Sequence, residues 1–295
     1  MSMPRISQCM LCPRQCGALR TPTEGKGFCK MPALPAVCRA ALHFGEEPCI
    51  SGTRGSGTVF FCGCTLRCCF CQNEQISRSY CGKSMTAQQL FELFLQLQEQ
   101  GAHNINLVTA TPFADTVIEA LRLAKLTVPV VWNTSGYETV DTLKALEGLV
   151  QIYLPDCKYA TRAAAQKYSA APDYPAVIVP ALREMLRQTG AARFDEQGIL
   201  QQGVIIRHLM LPGELKETLA VIDLLRQTVP TDTQISLLRQ YTPPAQPASP
   251  NLARRVTTYE YEKAVQALLD AGFTNGFTQD KSSATAEYLP EWDLI

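Results

Sequence analysis

Apolar positions recur along this chain in two alternating patterns. Short, predominantly apolar runs suited to buried strands occupy 58–61, 104–109, 128–133, 151–154, 204–210 and 234–238. Between them apolar residues return at helical spacing. Thr86 and Gln89 form a capping box ahead of Leu90, Phe91, Phe94 and Leu97, and Gly101 ends that helix. Val117, Ile118 and Leu121 mark the next helix, and 140–146 a short one. A helical stretch over 161–189 is interrupted by Pro172, Pro175 and Pro180. Leu215, Leu219, Ile222 and Leu225 mark another. Pro243, Pro244, Pro247 and Pro250 stiffen a connector, and Thr257 and Glu260 cap a last helix carrying Tyr261, Val265 and Leu268. Six strand–helix units in series predict a parallel sheet with right-handed crossovers. Six are too few to close an eight-stranded barrel.

The first fifty residues show no clear period and hold six cysteines. This contrast predicts a cysteine-rich lobe over 1–50 and a barrel-type domain with a C-terminal helix over 51–295. With 46% hydrophobic and 18% charged residues the chain can bury a sizeable core. Its 27 basic residues balance 27 acidic ones, which argues against general nucleic-acid binding and against an anionic membrane surface. No apolar run reaches the ~18 residues of a membrane span, and residues 1–9 contain no stretch of signal-peptide character. The expectation is a cytoplasmic protein. Thirteen cysteines, seven of them in two tight groups, then point to metal rather than disulfides.

The first group, Cys9, Cys12, Cys16 and Cys29, has four thiols, enough to saturate a [4Fe–4S] cube or a structural zinc. Spacing alone does not separate these, and Cys38 or Cys49 is an alternative fourth ligand. The second, Cys64, Cys68 and Cys71 in a C-x3-C-x2-C run, has three. Three thiolates on a tight loop leave one iron of a cube without a protein ligand, and an open position is the mark of a metal centre with a task. The triplet follows a predicted strand, at the barrel end where such folds place their sites. Cys38, Cys49, Cys62, Cys81 and Cys157 have no comparable spacing and read as buried structural thiols.

The triplet, with Phe70 before its last cysteine and Gln72-Asn73 after it, resembles the radical S-adenosylmethionine (SAM) superfamily. The resemblance implies a partial parallel (β/α)6 TIM-type barrel. It also implies an open iron that chelates SAM, and one-electron cleavage of SAM to methionine and a 5′-deoxyadenosyl radical. Phe70 is then expected against the adenine and Asn73 near the cofactor. Asp156 and Lys158, past the fourth strand, resemble an Asp-x-Lys pair of glycyl-radical-activating enzymes and would hold the methionine carboxylate. Arg207 is a first choice for a further SAM contact, and His208 a second. Gly-Gly-Glu, which binds the SAM amine in many members, is replaced here by Thr109-Ala-Thr-Pro-Phe113. Backbone carbonyls or the hydroxyls of Thr109 and Thr111 are substitutes, and Asn133 offers a polar group to the methionine or ribose end. The segments 43–52 and 55–61, the N-terminal cysteines, Arg207-His208 and Gln240-Tyr241 resemble the pyruvate formate-lyase-activating-enzyme-like branch. The branch label alone does not establish the substrate; activation of a glycyl-radical enzyme is the expectation, with an electron donor such as flavodoxin or ferredoxin, a protein or peptide substrate, and a second [4Fe–4S] cluster (alternatively zinc) on the N-terminal thiols. Modification of a small molecule is an alternative, as is a non-catalytic Fe–S electron carrier.

Overall fold

The structure, a computed structural model, describes residues 8–123 and 125–283. Its strands are β1 (Ala36–His43), β2 (Ser56–Phe61), β3 (Lys83–Ser84), β4 (Ile105–Val108), β5 (Val130–Thr134), β6 (Ile152–Pro155), β7 (Arg193–Phe194), β8 (Leu200–Leu209), β9 (Gln234–Leu238) and β10 (Gly276–Thr278). The α-helices are α1 (Pro48–Ser51), α2 (Glu74–Ser77), α3 (Ala87–Glu99), α4 (Ala114–Leu123), α5 (Val140–Ala145), α6 (Arg162–Ser169), α7 (Tyr174–Thr189), α8 (Leu215–Thr228) and α9 (Thr258–Asp270). The sheet runs β10-β9-β8-β6-β5-β4-β2-β1-β3, with β7 paired to β8. From β2 to β10 every pairing along this path is parallel. The path is open, as in a partial barrel. No helix among the described residues is long and apolar enough to cross a membrane.

The six runs read from the sequence are β2, β4, β5, β6, β8 and β9. The short β10 adds a seventh parallel strand beside β9. β1 lies within the segment expected as a separate lobe, yet it pairs antiparallel with β2 and belongs to the main sheet. The expected domains begin and end in 1–7 and 284–295, which lie outside the described residues. Both predicted capping boxes form, Thr86 with Gln89 and Thr257 with Glu260. The proline-broken stretch becomes α6 and α7, with Pro175 in the first turn of α7 and Pro180 inside it.

Strand alternation sorts the side chains. Ile105, Leu107, Trp132, Tyr153, Val204 and Ile206 join the main core under the helices. Val131, Ile152, Leu154 and Ile205 face inward around Ile50 of α1, which fills the base of the barrel. One step further along the same inner faces stand Asn133, Asp156 and Arg207, so the inner wall turns from apolar at its base to polar at the C-terminal ends of the strands.

Candidate functional site

β2 ends at Phe61 and the triplet loop follows at once. The Leu66 N–H points at Cys64 Sγ (3.4 Å), the Ser169 hydroxyl donates to Cys68 Sγ (2.9 Å), and Cys71 Sγ lies 3.6 Å from Ser77 Oγ. Burial and the neighbouring Cys68 push the thiols of Cys64 and Cys71 up. Three thiolates packed this way need a positive partner, which a metal cluster supplies. Lys158 reaches the same place. Burial opposes its charge, but Asp156 and the thiols of Cys68 and Cys71 outweigh that and hold the ammonium above its usual range. The donor set therefore fits a cluster held by three cysteines beside one fixed cation.

Lys158 ends a chain of charge. Its Nζ lies 2.6 Å from Asp156 Oδ2. Arg207 Nε donates to Asp156 Oδ1 (3.1 Å), one terminal nitrogen donates to Glu46 Oε2 (3.1 Å), and the other to Asn133 Oδ1 (2.5 Å). Glu46 Oε1 accepts from Asn133 Nδ2 (3.1 Å) and Asn106 Nδ2 (3.0 Å). The side chains of Arg207 and Glu46 are only 14% and 10% exposed. Burial raises the Asp156 carboxyl, but Lys158 and Arg207 reverse this and hold it below its ordinary value. Gly136 lets this wall close up, because a Cβ there would run into the Asp156 carbonyl.

The structure brings Cys64, Cys68, Cys71, Asp156 and Lys158 together, and it joins Asn133 and Arg207 to them from below. Arg207 already serves Asp156, Glu46 and Asn133, so it positions Asp156. His208 does not join them. It follows Arg207 on β8 and so faces the helices, buried, with Nδ1 2.7 Å from the Cys157 carbonyl and Nε2 3.1 Å from Thr218 Oγ1. Phe70 is buried, edge-on to Tyr168 at 6.4 Å between centroids. Asn73 precedes α2, and its side chain caps nothing there.

Thr109 follows β4 directly with φ of 60°, a left-handed conformation uncommon for a β-branched residue and a mark of functional loops. Its N–H donates to the Asn133 carbonyl (2.9 Å). The Thr111 hydroxyl is buried and donates to Glu138 (2.5 Å). Glu138 also accepts from Thr134 and from Trp132 Nε1, while its second oxygen has no partner. Burial, only partly offset by these donors, pushes its carboxyl up to about 7 from an ordinary 4.5. The folded state therefore holds this proton more tightly than the unfolded chain. The stability it contributes is complete below pH 4.5 and is lost as pH rises through about 7. Relative to Glu138→Gln, the wild type should lose on the order of 3 kcal/mol across that window. Urea unfolding of both proteins at several pH values checks this, and parallel profiles would contradict it.

The N-terminal cysteines feel one another's charge, but no three of their sulfurs lie within 4.8 Å of one another. Burial raises the thiol of Cys12, as do the charges of Cys29 and Cys9, and Cys29 feels Cys9 and Cys16. Arg14 ties this segment to the triplet loop, with Nε donating to the Thr65 carbonyl (3.0 Å) and one terminal nitrogen to the Ala170 carbonyl (2.6 Å). Arg14 and Arg67 lie 3.8 and 4.4 Å from the ring centre of Phe28. Glu46 is the residue that sequence reasoning missed. Its signal was an acidic pair, Glu46-Glu47, in an otherwise apolar segment of a chain with two cations expected inside the barrel.

The family model of the Radical SAM superfamily matches residues 58–156, from β2 through the triplet to Asp156. That match supports membership of the radical SAM superfamily. The match spans 99 of the chain's 295 residues, the part that carries the triplet. The chain is 28% identical over 271 residues to the uncharacterized protein MJ0674 of Methanocaldococcus jannaschii, covering 88% of this chain and 74% of that one. Two solved structures share the fold. SuiB of Streptococcus suis bound to S-adenosylmethionine has a TM-score of 0.51 at 12% identity, over 76% of this chain and 50% of that one. Methylornithine synthase (PylB) has a TM-score of 0.50 at 15% identity, over 72% of this chain and 59% of that one. The chain thus spans half to three fifths of these two structures.

Proposed function

We propose that this protein is a radical SAM enzyme that takes hydrogen from a polypeptide, with activation of a glycyl-radical enzyme as the reaction it suits best. The observation that carries the reading is the placement of Lys158 beside a three-cysteine loop, held there by Asp156, Arg207 and Glu46. When bound, the cluster supplies an iron without a cysteine ligand and the electron for reductive cleavage of SAM. Cys64, Cys68 and Cys71 hold that cluster. Lys158 pairs with the carboxylate of SAM and Asp156 aims it. Arg207, together with Lys158, keeps Asp156 ionised, and Glu46 and Asn133 hold Arg207 in place. Phe70 packs at the adenine side and Asn73 lines the loop. The left-handed turn at Thr109 offers backbone carbonyls to the amine.

Residues 1–50 supply the second metal centre, on Cys9, Cys12, Cys16 and Cys29. An auxiliary [4Fe–4S] cluster is favoured over zinc, because Arg14 docks this segment on the triplet loop, where a relay for electrons has a use. A reduced flavodoxin or ferredoxin of the cytoplasm is the fitting donor. For the substrate, the connector after β9 is the guide. Tyr241 Oη donates to the Leu252 carbonyl (2.7 Å), and Asn251 Nδ2 donates to the Pro212 carbonyl (2.9 Å) and to Tyr168 Oη (3.1 Å), beside Phe70. A connector pinned at the edge of the mouth frames an entrance for a backbone loop.

Lys158→Ala should weaken SAM binding by about 1.5–3 kcal/mol, the worth of a hydrogen bond to a charged group. Anaerobic equilibrium binding reads this, and unchanged affinity would displace the carboxylate from Lys158. The substrate assignment is tested by incubating reduced enzyme, SAM and a candidate glycyl-radical partner. A glycine-centred signal in electron paramagnetic resonance, and two partner fragments after exposure to air, are expected. Deuterium passing from a free metabolite into 5′-deoxyadenosine would instead establish a small-molecule enzyme.

A further inference from the structure

Three cysteines with no shared sequence spacing meet beneath the triplet loop. Cys38 Sγ lies 2.8 Å from Cys62 Sγ and 3.3 Å from Cys81 Sγ, and Cys62 and Cys81 are 3.5 Å apart. Among the described residues this is the group of three metal-ligating side chains whose ligand atoms all lie within 4.8 Å of one another. Cys38 and Cys62 are buried and Cys81 is half-buried.

The backbone is shaped to make this meeting. β1 and β2 pair Val37 with Phe61 and Arg39 with Phe60, so Cys38 is the extra residue of a β-bulge. Bulges re-aim side chains, and this one turns Cys38 toward the end of β2. Cys62 follows β2 directly, with its N–H on the Ala36 carbonyl (3.0 Å). Cys81 arrives from the far side of the triplet loop. Gly82 lets it come close, with φ of 80° and no room for a Cβ against the Val37 carbonyl and the Cys38 backbone.

We propose that Cys38, Cys62 and Cys81 form a three-thiolate site for a single soft, closed-shell cation, zinc(II) or copper(I). Thiolates select such ions. Three sulfurs around one tetrahedral zinc stand about 3.8 Å apart, given Zn–S near 2.3 Å, so small outward movements complete the site. The thiolates of a cube diverge from separate corners and stand further apart, so this group suits one ion. The half-buried Cys81 leaves an entry path and room for a water as a fourth ligand of zinc. Binding displaces the thiol protons and changes no oxidation state.

The position gives the ion a task. Cys62 and Cys81 bracket residues 63–80, the segment that carries Cys64, Cys68, Cys71, Phe70 and Asn73. An ion shared with Cys38 clamps both ends of this loop to β1, removing the freedom that an open loop of this length retains.

The test uses full-length protein with its clusters reconstituted without oxygen, given zinc or copper(I) in separate arms and desalted. Wild type should hold one equivalent more of one of these metals than Cys38→Ser or Cys81→Ser, with iron and sulfide equal in all three. Amide exchange over 63–80 should slow when the metal binds. If those variants do not fold, the variant with Cys9, Cys12, Cys16 and Cys29 all changed to Ser removes the competing thiols. It should keep one zinc with three sulfurs at about 2.3 Å by X-ray absorption, or one copper(I) with three sulfurs. Equal metal in wild type and variants would overturn the site, as would a Cys38–Cys62 disulfide in anaerobic protein. Metal bound with unchanged exchange would overturn the clamp.

Discussion

Alanine at any one of Cys64, Cys68 and Cys71 should remove about four iron atoms per chain and bring SAM cleavage to background. The loop offers three thiols, and a cube held by three has none in reserve. Cys69 lies beside them, but its N–H bonds to the Tyr168 carbonyl (2.9 Å), and this anchors it at another point of the loop. The effect should be specific. Cys9, Cys12, Cys16 and Cys29 sit on a different segment, so their metal should survive. Iron, zinc and sulfide determination on anaerobically reconstituted variants reads both centres at once. Retention of full iron and cleavage in all three variants would contradict the assignment.

Arg207→Leu should destabilise the fold by about 3–5 kcal/mol, the cost of breaking a buried ion pair by removing one partner. Here one guanidinium serves two carboxylates and a buried amide. Leucine keeps the bulk but leaves Glu46 and Asp156 facing each other in an inner wall with little water. Arg207→Lys should recover only part of the loss, since a point charge cannot reach three acceptors set in a fork. Pairing Arg207→Leu with Glu46→Gln should return some stability, because one of the two stranded charges is gone. Chemical unfolding of wild type, Arg207→Leu, Glu46→Gln and the double variant gives the coupling, and Arg207→Lys is measured beside them. A loss below about 1 kcal/mol for Arg207→Leu, typical of an exposed pair, would mean that the network carries little.

The parallel strands, the helices between them and the position of the triplet were legible because each rests on local period and punctuation. β10 was not, since three residues after Gly272 carry no period of their own and form a strand only because β9 offers an edge. β1 was hidden in the cysteine-rich segment, where its bulge breaks the alternation that would have marked it. Arg207 and His208 show what strand geometry alone could have decided. Adjacent residues on a strand face opposite ways, so only one of them could look into the barrel. Glu46 and the Cys38–Cys62–Cys81 group depend on contacts between segments far apart in sequence, made by a chain crossing under the barrel and by a glycine that admits a close approach. No spacing rule reaches such contacts.

The central claim is that a three-cysteine cluster in this barrel cleaves SAM reductively. Its most direct test is to mix anaerobically reconstituted protein with SAM and dithionite and to quantify 5′-deoxyadenosine and methionine. The account predicts both products in equal amounts from wild type and neither from the variant lacking all three triplet cysteines. Protein with a full complement of iron that yields no 5′-deoxyadenosine, or that yields the same amount without the triplet, would contradict it.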